Sequence, residues 1–323
     1  MKRVLILGGT GFVGRHICER LARLHWPVTV LTRRAANAAP IQHLPRLTVL
    51  EGNVHDEATL RQHLAGHDAV INLVAILHGS PADFERTHVE LPAKLARASL
   101  TVGVRRMLHI SALGADPAAA DAAPSNYLRS KSRGEAELQA AATQGLQLTV
   151  LRPSVIFGAD DRFLNLFAAL QRTFPVVPLA GAGARFQPVW VEDVAQAAAH
   201  CLQDNRTIGR TYELCGPRVY TLRELVQLAG RGAGIRGGRG RPVLALPDAL
   251  GRVQAALMEL APGQPLMSRD NLDSMKVDNV ATGRMPGIDA LGITPTGPAA
   301  VAPGYLGPAA DLHLRLRSQY RRR

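Results

Sequence analysis

Apolar and polar positions alternate between short runs and longer periodic stretches through the first half of the chain. Val4 to Leu7, Val28 to Leu31, Leu47 to Leu50, Asp68 to Ala75, Arg106 to Ser111 and Leu148 to Leu151 are short and largely apolar. Strands buried on both faces need such runs. Between them, Val13, Ile17, Leu21 and Leu24 recur on one helical face, Asp56 to Leu64 reads as a second helix, and Thr87 to Leu100 as a third with Pro92 near its start. The alternation predicts an α/β fold with a doubly wound parallel sheet. Further on, Asp193 opens a helix over Val194 to Leu202, Thr221 and Glu224 form a capping box, Val243 to Leu246 makes a short strand, and Pro247 to Leu260 returns to helical spacing. The expected division is a sheet domain over 1–155 with 188–215 returning to it, a smaller lobe from 156–187 and 216–310, and a basic tail over 311–323.

Composition narrows the setting. The 323 residues are 46% hydrophobic, enough for a large core. No stretch approaches the roughly 18 to 20 apolar residues of a membrane span, and the first strand begins at once, so no signal peptide is expected. Cys18, Cys201 and Cys215 are far apart in apolar segments, which suits small buried side chains in a reducing cytoplasm. No metal site is expected, since His63 and His67 have only Asp68 nearby. The formal charge of +12 calls for an anionic partner. Arginines gather at Arg231, Arg236, Arg239 and Arg241 among glycines, and again at Arg315, Arg317 and Arg321 to Arg323. Without interleaved aromatics for base stacking, a solvated loop is the better reading of the first group, and no nucleic acid is expected. The tail suits a frayed terminus, or peripheral contact with the inner face of the membrane or an acidic partner.

Chemistry enters at the first turn. Gly8-Gly9-Thr10-Gly11-Phe12-Val13-Gly14 follows the first strand and opens the first helix. Gly8 allows the tight turn, Gly11 a close approach of backbone to a pyrophosphate, and Gly14 close packing of helix on sheet. Free N–H groups and the helix dipole then favour phosphate. At the end of the second strand stand Thr32, Arg33 and Arg34 and no acid. Arginine there accommodates the 2′-phosphate of NADP(H), which is favoured over NAD(H); the other reading is two solvated surface arginines. Tyr127 and Lys131, four apart on one helical face, form a second constellation sixteen residues past the fifth strand.

The GxxGxxG spacing with the Tyr127/Lys131 pair resembles the extended branch of the short-chain dehydrogenase/reductase superfamily, a Rossmann fold. That resemblance implies that Asn53 and Val54 contact adenine and that Val74 and Ala75, after Asn72, line the cofactor cleft with Ile110. It implies that Pro153, Ser154 and Val155 present main chain to the carboxamide. Lys131 would hold the nicotinamide ribose and lower the pKa of Tyr127, the acid or base. Ser111 is the candidate for the catalytic hydroxyl, but it lies earlier than usual and Ala112, Leu113 and Gly114 follow it.

Phe157 to Asn165, Gln187 to Ala195, Tyr212 to Pro217 and Leu266 to Asn279 narrow the resemblance to the NADPH-binding accessory subunit family of respiratory complex I and its bacterial relatives. This implies a dinucleotide held in a structural or regulatory role, with complex I or another membrane-associated partner. The alternative is an NADP-dependent oxidoreductase or epimerase acting on a quinone-like, isoprenoid or sugar-nucleotide substrate. Asp161 and Arg162 are expected as a charged pair at the cleft mouth.

Overall fold

The computed structural model describes residues 2–260 and 267–307; the basic tail lies outside them. The chain starts with β1 (Val4–Leu7), α1 (Phe12–Arg23), β2 (Val28–Thr32), β3 (Leu47–Glu51), α2 (Glu57–Leu64) and β4 (Ala69–Asn72). Then come α3 (Pro81–Glu85), a π-helical turn over Arg86–Glu90, α4 (Leu91–Thr101), β5 (Arg106–Ile110), α5 (Asn126–Thr143) and β6 (Gln147–Pro153). The helix expected from Thr87 therefore starts as a π turn. Pro92, at the second position of α4, has no N–H to lose there.

Beyond β6 the chain makes β7 (Ile156–Phe157), α6 (Leu164–Thr173), β8 (Val177–Leu179), β9 (Arg185–Phe186) and β10 (Val189–Trp190). It then forms α7 (Val191–Gln203) and β11 (Thr211–Leu214). The last elements are β12 (Tyr220–Thr221), α8 (Leu222–Gly232), β13 (Val243–Ala245), α9 (Asp248–Glu259), α10 (Arg269–Ser274) and α11 (Pro298–Leu306). Helix α7 begins two residues before Asp193. The capping box of Thr221 and Glu224 is formed.

The described residues form two compact units, one of residues 2–153, 192–214 and 281–294, the other of 154–191, 215–260, 267–280 and 295–307. In the first, seven parallel strands lie in the order β11-β6-β5-β4-β1-β2-β3. The order reverses between β1 and β4, opening a crevice past the carboxyl ends of the strands, where doubly wound sheets bind ligands. β1, β4 and β5 are buried throughout, as central strands of a doubly wound sheet are, although β4 ends in Asn72 and β5 carries Arg106 and His109. Leu5, Leu7, Leu60, Val70, Leu91, Leu95 and Leu138 belong to one core cluster under α2, α4 and α5. Arg106 sits buried in β5 and donates to Gln147 O, Thr149 Oγ1, Thr207 Oγ1 and Cys201 O. A cation is favoured at that last carbonyl, near the C-terminus of α7. In the second unit α6, α8 and α11 surround Phe157, Phe167, Leu225, Val226 and Leu306. The three cysteines are free and buried.

Candidate active site

In the turn between β1 and α1, Gly8, Gly9 and Gly14 leave no room for a Cβ. Gly8 takes φ +83, and a Cβ at Gly14 would lie 2.3 Å from Gly8 O and 2.6 Å from Gly9 Cα. Gly11 N donates to Gly8 O at 3.0 Å and caps α1 without a side chain, and no acid stands in the first turn. The N-terminus of α1 is therefore open to an external anion. This cradle fits a dinucleotide pyrophosphate, with Thr10, Phe12 and Val13 filling out the turn.

Around it, Arg33 and Arg34 are exposed past the end of β2. The Glu51 carboxylate, from β3, accepts from Ala35 N, so an acid does reach the segment just past the arginines. Asn53 Oδ1 accepts from His55 N at 3.0 Å, and Val54 is buried in the core. Asn72 Oδ1 accepts from Val74 N at 3.2 Å; Val74 is half-buried and Ala75 exposed. Pro153 ends β6, while Ser154 and Val155 belong to the second unit. There Ser154 Oγ donates to Asn279 Oδ1 at 2.6 Å, and Val155 N donates to the same oxygen at 3.0 Å. Asn279 thus takes up the hydroxyl and the main-chain donor at the residues expected to face the carboxamide.

Helix α5, capped by Ser125 Oγ accepting from Leu128 N, carries Tyr127, Lys131 and Glu135 at successive i, i+4 positions on one face. Lys131 is 2% exposed, and its Nζ donates to Ile110 O at 2.8 Å. Desolvation lowers its pKa to about 8, against the raising influence of Glu135. Burial pushes the Tyr127 phenol up to about 12, whereas a lowered value was expected. With Lys131 turned to a backbone carbonyl, desolvation sets the phenol's pKa.

Ser111 Oγ donates to Glu135 Oε2 at 2.9 Å. Glu135 is in turn gripped by Arg152, whose Nη2 lies 2.5 Å from Oε1 and whose Nε lies 3.1 Å from both oxygens. Ser111 completes a buried ion pair.

Behind Tyr127, His88 from the π turn accepts from Ile76 N at Nε2 (3.0 Å), so its Nδ1 donates to Ser130 Oγ at 2.8 Å. Ser130 Oγ donates on to Tyr127 O at 2.9 Å. The His88 and Phe84 rings stand edge-on to Tyr127 at 5.5 and 6.4 Å. Desolvation, then Lys131, lowers the His88 pKa to about 3; the same causes, with His88, hold His109 well below its ordinary value. His109 Nδ1 accepts from Asn72 Nδ2 at 3.3 Å.

Sequence reasoning missed His88, His109, Glu135 and Arg152. Glu135 had a signal, standing two turns beyond Tyr127 on the same face, and Arg152 did not. Elsewhere Asp161 accepts from Gly158 N, Phe163 N, Asn165 N and Tyr305 Oη, so it organises its own loop. His67 Nε2 lies 2.8 Å from Thr29 Oγ1. Among the described residues, His16, Glu19 and Glu192 are grouped closely enough to share a metal ion; His16 Nδ1 and Glu192 Oε1 already satisfy each other at 2.7 Å.

Residues 4–215 match the NAD dependent epimerase/dehydratase family, and the chain belongs to that family, the extended short-chain dehydrogenases/reductases. It is similar to NADH dehydrogenase [ubiquinone] 1 alpha subcomplex subunit 9 of Mus musculus, with 32% identity over 302 residues, 90% of this chain and 76% of that one. It is also similar to the NADH-ubiquinone oxidoreductase 40 kDa subunit of Neurospora crassa, with 28% identity over 93% of this chain and 78% of that one. Its fold is shared with the dTDP-glucose 4,6-dehydratase DesIV of Streptomyces venezuelae, a structure with NAD bound, at a TM-score of 0.65 and 24% identity over 77% of this chain and 85% of that one. No helix among the described residues is long and apolar enough to cross a membrane.

Proposed function

We propose that this protein holds NADP(H) as a structural or regulatory ligand, with little or no turnover, in the manner of the complex I accessory subunits it resembles. When bound, the dinucleotide supplies a hydride donor or acceptor. The Gly8–Gly14 backbone and the N-terminus of α1 hold its pyrophosphate, and Arg33 and Arg34 neutralise the 2′-phosphate. Asn53 and Val54 meet the adenine. Lys131 leaves Ile110 O to hold ribose hydroxyls, alongside Val74, Ala75 and Pro153.

The observation that supports a non-catalytic role is the state of Ser111. Its hydroxyl completes the Glu135–Arg152 ion pair, and Ala112, Leu113 and Gly114 bring no hydroxyl to replace it. A substrate carbonyl then lacks the second donor that, with a tyrosine, would polarise it. The second reading, a reductase or epimerase with Tyr127 as acid or base, draws on the Phe84 and His88 rings that fix the phenol in a partly dry site.

The test pairs dinucleotide titration with native separation of gently solubilised cells. NADPH binding without turnover on quinones, ketones or sugar nucleotides, and co-migration with the respiratory NADH:quinone oxidoreductase, are expected. Turnover that Tyr127→Phe abolishes while NADPH affinity is kept, in a protein migrating alone, overturns the proposal in favour of the enzyme.

A further inference from the structure

Helix α9 is amphipathic the wrong way round. A surface helix ordinarily turns its apolar stripe to the core and its polar face to water. Here Gly251 and Ala255 are the buried positions, and a Cβ on Gly251 would lie 2.7 Å from Ala180 Cβ, so the inner face is made of the smallest residues. On the opposite side Leu250, Val253 and Leu257, spaced by three and four, are each more than half exposed, and Leu260 continues the stripe.

The stripe belongs to a larger apolar surface of the second unit. β13 pairs in parallel with β8 and presents Leu244 to solvent; Phe174 and Val176, just before β8, are exposed as well. Leu246 N donates to Leu179 O at 2.9 Å, which carries the chain from this pair of strands into α9.

What covers such a surface is indicated by the charge beside it. Between Glu224 and Asp248 the chain has four arginines, Arg231, Arg236, Arg239 and Arg241, and no acid. Arg236 and Arg239 are exposed on a turn in which Arg236, Gly237, Gly238 and Gly240 all have positive φ. Val177 N donates to Pro242 O at 2.9 Å, so the arginine turn ends against β8, the strand paired with the one that carries Leu244. An acidic protein would match the charge but not a stripe of bare Leu and Val. A second copy would match the stripe but bring the same arginines against each other. A lipid surface with anionic headgroups satisfies both, taking apolar side chains at the acyl boundary and arginines at the phosphates.

We propose that α9, β13 and the Arg231–Arg241 turn form a peripheral docking surface for anionic lipid. The surface is built from residues of the second unit and the dinucleotide cradle from residues of the first, and its test does not depend on the accessory-subunit reading.

The full chain is sedimented with vesicles of phosphatidylcholine alone or with phosphatidylglycerol added, at low and high salt. Binding to the phosphatidylglycerol vesicles only, released by salt, is expected. Arg236→Gln with Arg239→Gln weakens it about 25-fold. Leu250→Ser, Val253→Ser and Leu257→Ser together weaken it at least about a hundredfold, with an unchanged melting midpoint. Because the native cysteines are buried, a polarity-sensitive dye on Leu257→Cys gives a second reading, a blue shift on anionic vesicles. The proposal fails if the wild type ignores anionic vesicles at low salt, if the triple variant binds as tightly as wild type, which would assign binding to the tail, or if the dye stays in water. It also fails if, without vesicles, the wild type dimerises with rising concentration and the triple variant does not, since a second copy would then be the occupant.

Discussion

Lys131 is a cation held almost out of water, with Ile110 O and Glu135 as its compensations. Its folded pKa of about 8 lies below the ordinary 10.5, so between those values the unfolded chain keeps a proton that the folded chain has released. Stability therefore rises with pH in that window, by at most about 1.4 kcal/mol per pH unit. Cys18 and Cys201, which burial pushes up to about 12 from 9, act the other way as the unfolded thiols ionise, leaving about pH 7 to 8 as the interval in which Lys131 dominates. Urea midpoints should climb across it in the wild type and stay nearly level in Lys131→Met. At the acid end the sign is set by His88 and His109. Both stay neutral in the fold and gain protons on unfolding below about pH 6.5, so stability falls as pH drops through that value. His88→Gln should make this decline shallower, as acid titration of the circular dichroism signal would report.

Where helices meet, single atoms decide whether they approach. A Cβ at Gly134 would sit 1.7 Å from His88 O, so α5 lies against the π turn only because residue 134 is glycine. Gly134→Ala must push the two apart, and a loss of roughly 1 to 3 kcal/mol is expected by chemical denaturation. On the same helix, Glu135 joins α5 to Arg152 of β6. Removing one partner strands a buried charge, so Glu135→Gln alone should cost about 3 to 5 kcal/mol. Glu135→Leu with Arg152→Met should recover most of it, because no charge is then left in the core. The sequence showed α5 and its Tyr127/Lys131 spacing plainly, since a 3.6-residue period is local. The ion pair joins residues seventeen apart through a helix and a strand, and only the fold brings them together. The π turn was hidden for a related reason: one extra residue in the hydrogen-bond ladder leaves the apolar spacing of Thr87 to Leu100 nearly intact while turning His88 toward Ser130.

In the whole molecule, the legible parts are those written in short apolar runs and glycine turns, which is why the parallel sheet and the tight Gly8–Gly14 turn could be read directly. The cofactor's identity was harder, because specificity rests on exposed side chains, and Glu51 approaches from a strand nineteen residues after Thr32. Arg33 and Arg34 carry the NADP(H) reading, and a melting experiment isolates them. A ligand that binds only the folded chain stabilises it by about 2.7 kcal/mol at a hundred times its Kd. In a chain of this length that is a rise of about 4 °C. NADPH should therefore raise the midpoint well above what NADH does at equal concentration, and Arg33→Ser with Arg34→Ser should erase the difference while leaving the NADH rise in place. Gly14→Ala should abolish both rises, because its Cβ would lie 2.3 Å from Gly8 O in the turn proposed to hold the pyrophosphate. Equal rises with NADPH and NADH in the wild type would return the arginines to the role of surface charge and make Glu51 the residue that reads the ribose.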